Sequence, residues 1–349
     1  MPALSALSWY RGDLHVHTTV SADGATADPS AIPGMARDAG LDFVAITDHN
    51  TIAALAQLPS NPEVVIIPGI EVTLDAGDFN VFGIEGWHPW MEHVCLGQVE
   101  VSLGPEGPTA AELLRQTASE GLLNSINHPL LPPWAWKDDA TELRFVHCLE
   151  VWNDPCWPDN AWANPAAVAL WTRWLDEGHR VTAIGGSDYH HPPQPQEGKP
   201  GERLGHPTTY VGAGELAVDA LLEGLRRRRA YVTVGPRVAF RACTGERMYD
   251  IGHEVESWHG EVEFEAAVGL PDAAPALARI VGQGGVVAEG RVTEDCTDLH
   301  AGVTVAADAS RWFRFEVVDL DGRFLAITNP IFVGPRRAPR LRTYGELSP

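Results

Sequence analysis

Several things are scarce in this chain, and each scarcity narrows its class. Basic residues are few: 25 Lys and Arg stand against 47 Asp and Glu, for a formal charge of −22. So acidic a surface repels nucleic-acid backbones and anionic membranes, which argues against a nucleic-acid duplex or a membrane as partner. Small anionic substrates stay open, because bound metal ions reverse the local field in a pocket. Cysteine is sparse and odd in number (Cys95, Cys148, Cys156, Cys243 and Cys296), with no CxxC pair. That pattern argues against a disulfide framework and suits free thiols in a reducing cytoplasm. No apolar run approaches the ~20 residues needed to span a bilayer. The stretch from Met1 to Trp9 lacks the basic and apolar regions of a secretory signal. A cytoplasmic protein is therefore expected. There is no GxSxG elbow, Walker A loop or GxGxxG fingerprint, so a serine hydrolase or nucleotide-triphosphate motor is disfavoured. Internal repeats and low-complexity segments are also missing.

What remains is an ordinary globular composition, 44% hydrophobic over 349 residues, enough for one large domain and a smaller one. From Arg11 to about Val234, short apolar runs alternate with helix-like segments. Phe43–Ile46, Val64–Ile67 and Val181–Ile184 read as buried strands. Pro29–Ala39, Thr109–Glu120, Ala166–Glu177 and Leu216–Arg229 read as helices, the first with Asp28 as its N-cap. Such alternation predicts a parallel sheet, open or closed into a barrel. After Gly235-Pro236 the period changes to two, as in Val262–Ala266 and Phe313–Val317, and Asp321-Gly322 signals a hairpin. These features predict a barrel over residues 1–235, a small antiparallel β-sandwich with half-exposed strands over 236–335, and a loose or draped tail over 336–349.

The polar residues fall at special places. His15, His49, Glu71, His128 and Asp188 each lie at or just past the end of a strand-like run. In α/β barrels those ends converge on one face, where chemistry is placed. Asp13-Leu14-His15-Val16-His17 adds an HxH pair, whose imidazoles point the same way if the segment is extended. Imidazoles joined to carboxylates suit Zn²⁺, Mn²⁺ or Fe²⁺.

The order of these motifs is HxH with a following DG, then Thr47-Asp48-His49, Gly69-Ile70-Glu71, Asn127-His128-Pro129 and Ser187-Asp188-Tyr189-His190. Over residues 11–235 it resembles the polymerase and histidinol phosphatase (PHP) family of metallohydrolases. Tyr231–Pro236 and Thr328–Ile331 resemble its carbaryl-hydrolase-like (CehA/McbA) branch, which carries a β-domain after the barrel. The resemblance implies a distorted (β/α)7 barrel holding two or three divalent ions (Mn, Zn or Fe). It implies that His15, His17 and Asp188 hold one ion, that Glu71 bridges it to a second held by His128, and that Asp23, His49 and His190 hold a third. An anion between two cations offsets their repulsion, which gives the bridge its physical reason.

This sequence departs from the family pattern twice. The loop from Thr18 to Asp23 is one residue longer than the usual spacing. Asp78, in Gly77-Asp78-Phe79-Asn80, stands where a histidine ligand is expected, and its oxygen would favour a harder ion such as Mn²⁺. His88 and His93 are the other candidates for that place, each more in keeping with a surface or packing histidine. The expected activity is hydrolysis of a small phosphate ester, with carbamate, amide or carboxylic-ester hydrolysis as the alternative. Glu71 and His190 are the candidate catalytic residues, His190 as proton donor to the leaving group. Asp48 and Asp13 are candidates to orient ligands. Trp134, with Trp136, Trp152 and Trp157, could wall the substrate site or merely pack a long loop. Arg203 is a candidate for an anionic substrate group. Arg226-Arg227-Arg228-Arg229 reads first as basic residues suited to a helix C-terminus, and second as phosphate recognition.

Overall fold

The computed structural model describes residues 7–192, 201–255, 258–272, 274–294, 297–306, 309 and 311–348; Cys296 lies outside them. The first half of the chain builds one mixed, curled sheet. β1 (Ser8–Asp13), β2 (Phe43–Ile46) and β3 (Val65–Leu74) run parallel. β3 folds back onto β4 (Gly77–Phe82), which lies antiparallel to β3 and to β5 (Leu123–Ile126). β5, β6 (Cys148–Asn153) and β7 (Thr182–Gly186) are parallel again. Beyond β1, β8 (Thr208–Ala213) and β9 (Ala230–Thr233) are antiparallel.

The wholly parallel sheet expected from the alternation does not form. Two residues, Asp75 and Ala76, separate β3 from β4, whereas a parallel crossover needs a dozen or more. Gly77 makes the hairpin possible: its φ is 110°, and a Cβ there would lie 2.7 Å from the Trp136 Cα.

The sheet curls until β7 meets the β1–β9 side. Thr209 Oγ1 accepts from Gly185 N at 2.9 Å and donates to Gly185 O at 2.7 Å. The Asn329 side chain pairs with Ala183 N and O, each at 2.8 Å. A parallel bridge between Val16 and Tyr189 joins the extensions of β1 and β7. Side chains here satisfy backbone groups that lack a strand partner. The closure brings the segments after β1, β2, β5 and β7 to one end of the sheet, together with the second half of β3.

All four expected helices exist: α1 (Ile32–Asp38), α2 (Ala110–Ser119), α3 (Asn160–Glu177) and α4 (Val218–Arg226). α1 starts later than expected, because the Asp28 carboxylate is taken by Ser30 N and Oγ rather than capping a helix. α2 begins on a reciprocal cap in which Thr109 and Glu112 satisfy each other's backbone N–H.

The later strands form two facing sheets. Arg237–Thr244, Arg247–Asp250, Gly260–Gly269 and Asp298–Val305 make one antiparallel sheet. Strands Ala276–Gly282, Gly285–Val292, Arg311–Val318, Phe324–Thr328 and Ile331–Val333 belong to the other, which is continuous with β9 through Phe324–Thr328. Phe240, Phe264, Phe313 and Phe315 fill the space between them. Gly260–Gly269 alternates in and out as expected, but Arg311–Val318 is buried on both faces. Its polar face lies on α3, where Arg314 pairs with Glu316 and stacks over Trp171, and Trp312 Nε1 donates to Asp176 Oδ1.

The tail is anchored rather than loose. Tyr344–Leu347 is a short helix with Tyr344 buried, and the Tyr344 hydroxyl donates to Pro129 O at 3.1 Å. Of the tail's described residues only Tyr344 and Leu347 are buried, too weak a pattern for the sequence to show this. Among the described residues, no helix is long and apolar enough to cross a membrane.

Candidate metal centre

One residue lies at the middle of the converging strand ends. Glu71, on β3, is fully buried. Its Oε1 is 3.2 Å from His15 Nε2 and 3.4 Å from His128 Nε2; its Oε2 is 3.4 Å from His17 Nε2 and 2.9 Å from His49 Nδ1. Asn127 Nδ2 donates to Oε1 at 2.8 Å and fixes the carboxylate's rotation. Asp188 lies alongside, its Oδ1 3.3 Å from His15 Nε2 and 3.1 Å from His17 Nε2. Asp23 Oδ2 joins His49 Nε2 at 3.1 Å and His190 Nε2 at 2.5 Å. The longer loop before Asp23 therefore does not displace it. Ala22 absorbs the extra residue with φ 62°, an unusual conformation for alanine. His128 and Asp188 also have positive φ, at 27° and 51°, so backbone strain concentrates at this site.

Three ligand groups emerge, each with donor atoms within 4.8 Å of one another: His15, His17 and Asp188; His15, Glu71 and His128; and His17, Asp23, His49 and His190. The structure brings together the residues that the resemblance assigns to each ion, and His15 and His17 each belong to two groups. Asp78 is buried at the edge of the second, with Oδ2 3.9 Å from His128 Nε2 and Oδ1 accepting from Leu74 N. His88 instead pairs with Glu120, and His93 is exposed.

Tautomers test whether cations fit here. His15 Nδ1 lies 2.9 Å from Glu150 Oε1. A carboxylate only accepts, so Nδ1 carries the proton and a neutral ring turns a lone pair toward Glu71 and Asp188. His190 Nδ1 likewise donates to Asp188 O at 2.7 Å, leaving Nε2 toward Asp23. His15 Nε2, His17 Nε2, Glu71 Oε2 and Asp23 Oδ2 are all buried without a hydrogen bond. Lone pairs facing carboxylates are held together only by positive charge, supplied by protons or by metal.

Proton affinities show the same demand. Burial pulls the His15 imidazole down, but Asp188, Glu71 and Glu150 outweigh it and hold its pKa well above the ordinary value. Burial likewise opposes protonation of His49, which Glu71 and Asp23 raise to about 10. Burial would also lower His128 and His190, yet Glu71 and Asp23 respectively lead the contacts that raise each to about 9. His17 goes the other way, down to about 3, through burial and then repulsion from His190 and His49. Burial favours neutral Glu71 and Asp188, yet the surrounding histidines, His15 foremost, keep both well below the carboxylate range. Burial and then Glu71 raise Asp78 to about 7. The residues present fit divalent cations in place of those protons.

Several residues that hold this cluster were not singled out from sequence. Glu150, on β6, accepts from His15 Nδ1, from His128 N at 2.9 Å and from Asn153 Nδ2 at 3.1 Å. Ser21 lies 3.1 Å from His17 Nδ1 and accepts from His49 N, while Thr73 lies 2.7 Å from His49 Nδ1. Glu150 had one signal, a lone acid in the apolar run Cys148–Trp152. Asp48 does not touch the His49 ring; it holds the Thr18 backbone and hydroxyl at 2.6 and 2.9 Å. Asp13 ties three segments together by accepting from His15 N, Ser187 N and Gly205 N.

A cavity of about 400 Å³ opens over the cluster. Trp134 and Trp157 form part of its wall, packed edge to face with centroids 5.9 Å apart. Trp136 and Trp152 are buried in packing. Glu100, Asp154 and Glu202 also line the cavity, and burial with Asp188 and Glu202 raises Asp154 to about 7. Arg203 is exposed and is not among the lining residues. Its neighbour Glu202 faces the cavity instead.

No family model matches the chain, and no curated protein does. Among solved structures, a two-domain protein from Bacteroides vulgatus containing a predicted PHP-like metal-dependent phosphoesterase aligns with a TM-score of 0.50 at 17% identity. That alignment covers 95% of this chain and 97% of the other, so the likeness of fold spans both the curled sheet and the sandwich. A protein from Bifidobacterium adolescentis named for metal-dependent phosphoesterase activity aligns at TM-score 0.40 and 18% identity, over 55% of this chain and 90% of its own. An amidohydrolase from Chromobacterium violaceum with bound sulfate and no metal aligns at 0.38 and 16%, over 54% and 89%.

Proposed function

We propose that this chain is a metal-dependent hydrolase of the PHP type, acting on a small phosphate ester, with its curled sheet as the distorted seven-stranded barrel of that family. The observation that carries the reading is Glu71, a buried carboxylate in contact with four histidines, with His15, His17 and His128 through Nε2 and with His49 through Nδ1. His15, His17 and Asp188 would hold one ion, Glu71 with His128 and Asp78 a second, and Asp23, His49 and His190 a third. Bound divalent ions would supply Lewis acidity toward a phosphoryl oxygen and acidify water near neutral pH.

The chain's own residues do the rest. Glu71 keeps the histidine nitrogens a fixed distance apart, and Glu150 orients His15. Trp134, Trp157 and Leu131 narrow the cavity and limit water around the substrate. Two groups at the wall can hold a proton for the leaving oxygen: His190 at Nε2 and Asp154 at its cavity-facing carboxyl. His190 can do so only while its Nε2 is not a ligand, which makes Asp154 the freer donor.

The cavity also supports a second reading. Its aromatic pair and its acidic wall of Glu100, Asp154 and Glu202 suit a flat, uncharged ester or carbamate better than an anion. A matched pair of substrates with one aryl leaving group separates the two. We expect kcat/KM at least ~10-fold higher for the phosphomonoester, about 1.4 kcal/mol in the transition state, with inorganic phosphate as a competitive inhibitor. A carbamate or carboxylic ester ahead by that margin would reverse the ranking.

Asp78 gives a further test. Oxygen donors favour harder ions than imidazole does. Asp78→His should shift the activating-metal preference from Mn²⁺ toward Zn²⁺ by several-fold, measured as activity against each metal after reconstitution. An unchanged preference in a folded variant removes Asp78 from the ligand set.

A further inference from the structure

At the opposite end of the sheet, where β6 and β7 begin, lies a second cavity of about 480 Å³. Arg144, Arg180, Arg226, Arg228, Arg336 and Arg342 line it, six of the 25 basic residues of a chain that carries −22 overall. They come from four separate segments: the turn before β6, the start of β7, the end of α4 with the turn after it, and the C-terminal segment. A helix C-terminus explains Arg226 alone. Arg227 leaves the cavity to pair with Glu223, whereas Arg228 turns inward.

Countercharge is incomplete. Glu254 pairs with both Arg180 and Arg228, and Glu142 pairs with Arg144. Among the described residues no carboxylate lies within ion-pair distance of Arg226, Arg336 or Arg342. Arg228 Nε is buried without a hydrogen-bond partner. Burial and the repulsion of Arg180 and Arg336 push the Arg228 guanidinium down to about 10. Among the described residues, ion pairs set only Glu254 and Glu142 against these six guanidinium groups; Arg226 Nη2 donates to Gly121 O, Glu346 accepts from Arg342 N, and the positive excess left is one that an anionic ligand would relieve. Forked N–H donors match phosphoryl oxygens two at a time. Leu143, Val146 and Pro339 supply an apolar wall beside them.

The geometry points to a binding site for a small polyanion with two or more adjacent phosphoryl groups, remote from the candidate metal centre. Arg180 and Arg228 form its floor, while Arg226, Arg336 and Arg342 close around the ligand from the rim. The site does not depend on the hydrolase reading, because none of its residues touches that cluster.

Calorimetric titration of the full-length, metal-loaded protein with inorganic pyrophosphate and with ADP tests this. The variants are the double substitution Arg226→Ala/Arg336→Ala and the single Arg336→Glu, which alters an exposed residue and spares the core. Both should weaken pyrophosphate binding at least ~10-fold, as expected when charge-assisted hydrogen bonds are lost, and leave turnover of a small ester within about twofold. His15→Ala, which touches only the metal cluster, should keep the same binding event. ADP binding more tightly than pyrophosphate supports a nucleotide seated on the apolar wall; equal binding supports a free polyphosphate. Pyrophosphate affinity that is unchanged in both arginine variants, or lost in His15→Ala, overturns the proposal.

Discussion

Replacing Glu71 by alanine should lower turnover at least ~10³-fold, about 4 kcal/mol of transition-state stabilisation, while the protein stays folded. Among the described residues Glu71 is the one carboxylate in contact with His15, His17, His49 and His128 together. Without it no single anion links the four imidazoles, because Asp188 reaches only His15 and His17 among them and Asp23 only His49, and cations held in neighbouring groups lose the charge between them. Asn127 Nδ2 loses its acceptor as well. Glu71→Gln is the sharper variant because it keeps shape and volume: its amide can serve Asn127 or the histidines, but it brings no charge to offset paired cations. Metal content by atomic emission and the circular dichroism spectrum should accompany the rates, since loss of metal can also cost folding energy. A folded, metal-loaded Glu71→Ala or Glu71→Gln protein with wild-type kcat/KM would refute the role given to this residue.

Much of this cluster was legible because the candidate ligands sit where strand patterns end. His15, His49, His128 and Asp188 each lie at or just past the end of a strand-like run, and the end of a buried strand is where a polar side chain needs a reason to be. What surrounds the ligands was less legible. Ser21 and Thr73 are small polar residues whose partners lie 28 and 24 positions away or in a neighbouring turn, so nothing local marks them. The hairpin from β3 to β4 was hidden for a related reason. Its turn, Asp75-Ala76-Gly77, is only recognisable once Gly77 is known to need positive φ. The strand Arg311–Val318 misled through Arg314 and Glu316, which look solvent-facing by period but form a buried pair against α3. Arg226 and Arg228 show the same limit. Their clustering with Arg144, Arg180 and Arg342 is a product of folding alone.

Glu150 is the residue whose loss should be felt most after Glu71, although it contacts no candidate ion. Its two oxygens only accept: Oε1 from His15 Nδ1, Oε2 from the His128 backbone N–H and from Asn153 Nδ2. No amide can replace it. If the oxygen of Glu150→Gln faces His15, its NH₂ meets two other donors; if the amide turns, its NH₂ meets His15 Nδ1–H. Either way His15 or the strained His128 backbone, at φ 27°, loses the contact that aims it. Removing such an orienting partner typically costs 10–100-fold in metal affinity. We expect that loss in Glu150→Gln by competition with a chelating indicator, with thermal stability of the ion-free protein measured separately to set aside general damage. Gly186 adds a constraint from the other side, because a Cβ there would lie 2.3 Å from His15 Cβ and 2.9 Å from Glu150 Oε1. The His15 ring is thus gripped between β6 and β7. If Glu150→Gln keeps wild-type metal affinity, packing against Gly186 alone must hold His15 in place, and Glu150 is reduced to a partner for the His128 backbone.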